Sequence, residues 1–327
     1  MEPKIAITMG DGAGVGPEII LKTFNDDILR SRNLFVIGDL SVLAEVKKLL
    51  GYNKFELNGI NEDNQPVWRS GTVNVWDMHL LKPQDFRPGE VSKKSGDASF
   101  KYVIESIRLA NEGRVAAVVT GPICKEAIQS AGHNYAGHTE IFAAYTSTKN
   151  YAMLLFDKKL SVIHVSTHIP MADAVSTLSQ GRIEEVIQLA EDSMKKILNH
   201  SPRIAVAGIN PHAGENGLFG KQEIEIIKPA VEHMKAKGID VSGPFAPDTV
   251  FLRTLQGHFD IVVAMYHDQG HIPMKLLSFD TGVNVSVGLP IIRTSVDHGT
   301  AFDIAWKGIA RNDSLLQAIY LAERLSK

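Results

Sequence analysis

A chain of 327 residues is longer than one hydrophobic core ordinarily grows, so two lobes or one elaborate α/β domain are expected. With 34 basic against 37 acidic side chains the formal charge is -3, and no run of five Lys or Arg occurs, which argues against a nucleic-acid or membrane-surface binder and for a small ligand. The single cysteine, Cys124, cannot form an internal disulfide, no apolar stretch reaches 18 residues and no leader-like segment precedes the first strand, so a cytoplasmic location is expected.

Lys4 to Met9 predicts a first strand, ending in Gly10-Asp11-Gly12-Ala13-Gly14-Val15-Gly16, with Pro17-Glu18 opening a helix. The glycines at 10, 12, 14 and 16 do not give the G-x-G-x-x-G of a dinucleotide loop, and no Gly-Lys-Ser/Thr follows, so a tight turn against a substrate cleft is the better reading. Leu34 to Gly38 is a second strand, Ser41 to Leu50 a helix, and the polar residues 51–72 a loop or edge hairpin. Val73 to Trp76 is a short strand, Lys82 to Gly96 a surface excursion, and Ser99 to Glu112 an amphipathic helix feeding the strand Ala116 to Thr120.

After a short helix, Gly137-His138-Thr139-Glu140 opens another, and there His138 and Thr139 read equally as a cap with its neighbour or as a cradle for phosphate or carboxylate. Strands are predicted at Ala152 to Phe156, Leu160 to Val165, Arg203 to Ala207, Ile261 to Met265 and Gly282 to Val287. Helices are predicted at 180–198, 221–237, near 249–255, from Asp297-His298-Gly299-Thr300-Ala301 onward, and at 313–325. Alternation of strand and helix implies a two-lobed α/β fold with mainly parallel sheets and helices on both faces. The expected division is residues 1–134 plus 300–327 as one lobe and 135–299 as the other, which carries most of the ligands.

Three histidines, His168, His212 and His267, each lie just past an apolar strand, at the edge where ligands bind in open α/β sheets. One such histidine is usually structural; three together suggest a facial set with open metal positions, and imidazole suits Zn, Co, Ni or Fe better than Mg or Mn. Asp268 stands beside the last of them as a base or an orienting partner, and Lys275, Asn284 and Arg293 could clamp a phosphate and a carboxylate. Cys124 reads as a buried or half-buried small residue, and His79, His200, His233 and His258 as surface residues.

Met9 to Glu18, Gly137 to Glu140, Asn210-Pro211-His212-Ala213-Gly214-Glu215, Pro244 to Thr249, Tyr266-His267-Asp268-Gln269-Gly270 and Asp297 to Ala301, in that order, resemble the 4-hydroxythreonine-4-phosphate dehydrogenase family along nearly the whole chain. The resemblance implies a fold like that of isopropylmalate and isocitrate dehydrogenases, a homodimer with the active site at the subunit boundary, and NAD as hydride acceptor. It also implies that His168, His212 and His267 hold a divalent cation (Zn, Co, Mg or Mn) and that His138, Thr139, Lys275, Asn284 and Arg293 contact the substrate. The chain departs from the family pattern at Gly12, usually Pro, and His271, usually Leu. Those departures favour the sibling branch acting on D-threonate or D-erythronate 4-phosphate, which yields dihydroxyacetone phosphate, over the vitamin B6 enzyme acting on 4-hydroxythreonine 4-phosphate. The expected chemistry is oxidation at C3 with Asp268 or a water it orients as base, then decarboxylation with Lys275 neutralising or reprotonating the enolate. A phosphate acyltransferase of similar fold and a non-enzymatic binding module are the remoter alternatives.

Overall fold

A computed structural model describes residues 3–25 and 32–327. The chain begins β1 (Ile5–Thr8), α1 (Gly16–Asn25), β2 (Leu34–Gly38), α2 (Leu40–Leu49), β3 (Glu56–Ile60), β4 (Thr72–Asp77). It continues with α3 (Lys93–Asn111), β5 (Ala117–Thr120), α4 (Lys125–Ser130), α5 (His138–Tyr145), β6 (Ala152–Phe156) and β7 (Ser161–His164). Next come α6 (Met171–Ser176), α7 (Gln180–Leu198), β8 (Ile204–Ala207), α8 (Lys228–Ala236), β9 (Val241–Phe245) and α9 (Pro247–Leu255). β10 (Ile261–Ala264), α10 (His267–Ser278), β11 (Val283–Val287), β12 (Ile292–Val296) and α11 (Asp313–Leu325) complete it.

The chain packs as two units, Met1–Thr148 with Leu289–Lys327, and Lys149–Gly288. The second unit is therefore narrower at both ends than the expected 135–299. Segment 135–148 stays with the first unit because Phe100 of α3 collects His133 (stacked, 3.8 Å), Tyr135 (5.9 Å) and Tyr145 (6.1 Å). Residues from 289 stay with it because β12 pairs with β5.

In the first unit the strand order is β3-β4-β2-β1-β5-β12, and every neighbouring pair is parallel. β1, β2 and β5 are buried along their whole length, as continuous apolar runs covered on both faces must be. In the second unit the order is β11-β6-β7-β10-β8-β9; β7, β10, β8 and β9 run parallel, while β6 is antiparallel to both β7 and β11.

Three local expectations change. Residues 56–60 form a parallel edge strand on β4 rather than a loop or hairpin, despite their polar composition, because the β4 backbone offers a full ladder. The excursion after Lys82 stops at Ser92, whose hydroxyl accepts from the Ser95 amide and caps α3 six residues earlier than its apolar period announces. After Asp297 the chain bends, and only a single 3-10 turn, Phe302–Ile304, forms behind Ala301 at φ 42. Among the described residues no helix is long and apolar enough to cross a membrane.

Candidate active site at the strand ends

In the first unit, β1, β5 and β12 end level, since Thr8 pairs with Thr120 and Ser295 pairs with the same residue from the other side. The glycine loop after β1 turns sharply there. Gly10 has φ +74, and a Cβ on it would come within 2.9 Å of the Gly121 carbonyl carbon, so only glycine fits. The Asp11 carboxylate is fully buried inside the turn; Oδ1 accepts from the Ala13 amide (3.0 Å) and the Ser95 hydroxyl, and Oδ2 has no partner. Burial raises its pKa, against the pull of those two hydrogen bonds.

Arg293 of β12 is 2% exposed, an unusual place for a guanidinium. Its Nε (3.1 Å) and Nη2 (2.6 Å) both donate to Thr120 Oγ1, and its head stands 5.9 Å from the Phe142 ring of α5. Desolvation draws its pKa down to about 9, while the Glu140 carboxylate pushes it back up. On the first turn of α5, Thr139 is buried and the His138 imidazole is held well below its usual range, first by desolvation and then by the Arg293 charge. His138 Nε2 is closed off from solvent and has no partner. His138, Thr139 and Arg293 are thus brought together as one buried polar cluster. Cys124, half-buried, has its thiol pushed up by burial, which makes it a poor nucleophile.

In the second unit, the parallel ends of β7, β10 and β8 lie side by side and carry the loops of His168, His267 and His212. The His168 and His267 rings approach to 5.9 Å between centroids. His267 opens α10, and its Nδ1 donates to Asp268 Oδ1 at 2.7 Å, which leaves Nε2 as the lone-pair nitrogen of the neutral ring. Gln269 pins this turn: its Oε1 accepts from the Met265 amide (2.6 Å) and its Nε2 donates to the Gly208 carbonyl (2.7 Å), joining the ends of β10 and β8. Lys275 lies two turns along α10, with Nζ 5.5 Å from the Phe279 ring centroid, and Asn284 sits on β11 opposite Leu155.

His212 occupies a different setting. Residues 212–216 run left-handed, with φ between 43 and 79, and the His212 ring faces Phe219 at 6.1 Å. The buried Glu223 clamps the base of this loop, accepting from the Ile209 and Asn210 amides and from Asn210 Nδ2. Among the described residues no three His, Cys, Asp or Glu side chains gather as a group able to hold a metal ion.

Two further histidines complete the cluster around His267. His271, one turn along α10, stacks on the His267 ring at 3.6 Å and 11°, and His164, at the end of β7, lies 4.7 Å from His271. His164 Nδ1 donates to the Met153 carbonyl (3.2 Å), its Nε2 has no partner, and burial takes its pKa down to about 3. Sequence reasoning missed His164 because a histidine closing a Ser-Val-Ile-His strand carries no turn residue to mark it.

The description "Pyridoxal phosphate biosynthetic protein PdxA" belongs to the family model that matches residues 30–322. D-threonate 4-phosphate dehydrogenase of Pectobacterium atrosepticum is 49% identical over 326 residues, covering all of both chains. A 4-hydroxythreonine-4-phosphate dehydrogenase of Desulforapulum autotrophicum is 43% identical over 98% of this chain and 94% of its own. The crystal structure of 4-hydroxythreonine-4-phosphate dehydrogenase from Klebsiella pneumoniae superposes with TM-score 0.89 at 49% identity, covering 99% of this chain and all of that one. Isocitrate dehydrogenase from Methylococcus capsulatus shares the fold alone, with TM-score 0.50 at 16% identity over 98% of this chain and 84% of that one. A match across so much of the chain, carried by relatives at nearly half identity, places the chain in the pyridoxal phosphate biosynthetic protein PdxA family.

Proposed function

We propose that the protein is an NAD-dependent dehydrogenase that oxidises D-threonate 4-phosphate, or its D-erythronate epimer, at C3 and releases carbon dioxide, giving dihydroxyacetone phosphate and NADH. The observation that carries this reading is the full-length likeness to the D-threonate 4-phosphate dehydrogenase described above. The vitamin B6 reaction on 4-hydroxythreonine 4-phosphate is the second reading, favoured by the name of the Klebsiella structure at the same identity.

Two members of the expected donor set, His168 and His267, suit a divalent cation, although among the described residues no third ligand gathers with them. His168 and His267 are close enough to share one ion, and a carboxylate on the far nitrogen of His267 is the arrangement that metal-binding imidazoles commonly carry. His212 would be the third ligand. When bound, such a cation would supply Lewis-acid polarisation of the C3 hydroxyl and of the developing enolate, and NAD would serve as the hydride acceptor.

The chain's own residues supply the rest. Asp268, 67% exposed at its side chain, can take the C3 proton directly or through a water while keeping its bond to His267. Lys275 delivers a cation and a proton on the same helix. Arg293 offers a guanidinium whose charge is poorly solvated, so an entering phosphate or carboxylate relieves a cost already present in the fold. His138 Nε2 is a buried polar atom awaiting a partner, which a substrate oxygen can provide. The exposed apolar side chains Ile272 and Leu276 of α10 and Phe279 just after it favour burial against a second copy of the chain, so a homodimer with its site at the boundary is part of this reading.

NADH formation by purified enzyme offered each of the three acid phosphates tests the assignment. Turnover of the hydroxy acids is expected; turnover of only the aminated substrate would give the reaction to the B6 pathway. Chelation is expected to abolish NADH formation and added Co or Zn to restore it. His212→Ala is expected to lose activity while unfolding at a temperature near that of the parent.

A further inference from the structure

We infer that His271 is a positioning residue that fixes the plane of the His267 ring, so that Asp268 sets which nitrogen of His267 is bare and His271 sets where that nitrogen points. The inference rests on the proposed role of His267 as a metal ligand. Its basis is geometric. The two rings are 3.6 Å apart and 11° from parallel, closer and flatter than the 5.9 Å, 41° relation of His267 to His168.

His271 is itself held on two sides. Its Nδ1 donates to the His267 carbonyl at 3.0 Å, and the His164 ring, 4.7 Å away, backs it from β7. His164 is in turn fixed by the Met153 carbonyl. The stack therefore connects a mobile kind of side chain, at the first residue of a helix, to a fully buried strand. Without the stack the His267 ring would be tethered only by its bond to the exposed Asp268 carboxylate, and a ligand whose lone pair swings off axis loses affinity.

The test uses the full-length protein, stripped by chelator and titrated with cobalt in a calorimeter. His271→Leu and His271→Asn, which remove the flat ring, are expected to weaken cobalt binding by about tenfold or more, the usual cost of losing an outer partner of a metal-bound histidine. His271→Phe, which restores a flat ring without either nitrogen, is expected to stay near the parent and to keep the parent's cobalt d–d spectrum. Because Asn can still donate to the His267 carbonyl, loss in Asn with rescue in Phe assigns the effect to the ring face. Parent-like affinity in the Leu and Asn variants, or a Phe variant as weak as they are, would overturn the inference while leaving the metal site intact. Failure of the parent to bind cobalt at all would overturn both.

Discussion

His138 is kept neutral by its surroundings, and that has a consequence for stability. The unfolded chain binds a proton there near pH 6.5 whereas the native pocket, desolvated and facing Arg293, resists it. With the native pKa depressed, the unfolded state binds more protons, so this contribution to stability is present above about pH 6.5 and lost as pH falls below it. His138→Asn should therefore show a shallower decline of unfolding free energy between about pH 7 and pH 5 than the parent, read by urea denaturation at each pH. Arg293 makes a second test. Lys in its place keeps the charge but loses the fork that places two donors on Thr120, so KM for the phosphorylated acid should rise by roughly ten- to a hundredfold. A KM within about twofold of the parent would remove Arg293 from the substrate site.

The element that holds the second cluster is α10, and its fit against β7 depends on one glycine. A Cβ at Gly270 would press into His164 Nε2 and lie 2.6 Å from Val162 Cγ1, so the helix can approach the strand only because that side chain is missing. Gly270→Ala should cost about 2 kcal/mol of stability through overpacking, measured by chemical denaturation, and should loosen His267 and His271 together. Much at this scale was legible: the 3.6-residue period gave α7 and α11 their bounds, and of the three strand-end histidines the rings of 168 and 267 lie 5.9 Å apart while His212 faces Phe219. Other features leave no local trace. β3 exists because β4 offers it a partner, and burial of Arg293 depends on Phe142 and Thr120, which lie 151 and 173 residues away in the chain and are brought near only by the β5–β12 ladder and α5. The left-handed path of 212–216 is likewise invisible in Pro-His-Ala-Gly-Glu-Asn, where a single glycine hints at a turn rather than a run.

At the scale of the whole molecule, apolar side chains are left exposed around the proposed metal ligands of the second unit, with Leu276 at 81%, Leu218 at 72% and Phe279 at 64%. These are the side chains that the proposed homodimer would bury. Replacing Leu276 and Phe279 by Glu should shift the protein to a monomer by light scattering and abolish NADH formation; an active monomer would show that one copy suffices. The loop of His212 carries a different cost. Four of its five left-handed residues have a Cβ, and each pays about 1–2 kcal/mol for a hand that L-amino acids avoid. That debt is met by distant anchors such as Glu223, so this mirror-image corkscrew works as a wound spring soldered at its foot. Laboratory evolution toward heat resistance would be drawn to swap Ala213 or Asn216 for glycine, and the sturdier proteins so obtained would be the ones in which the imidazole drifts from its post.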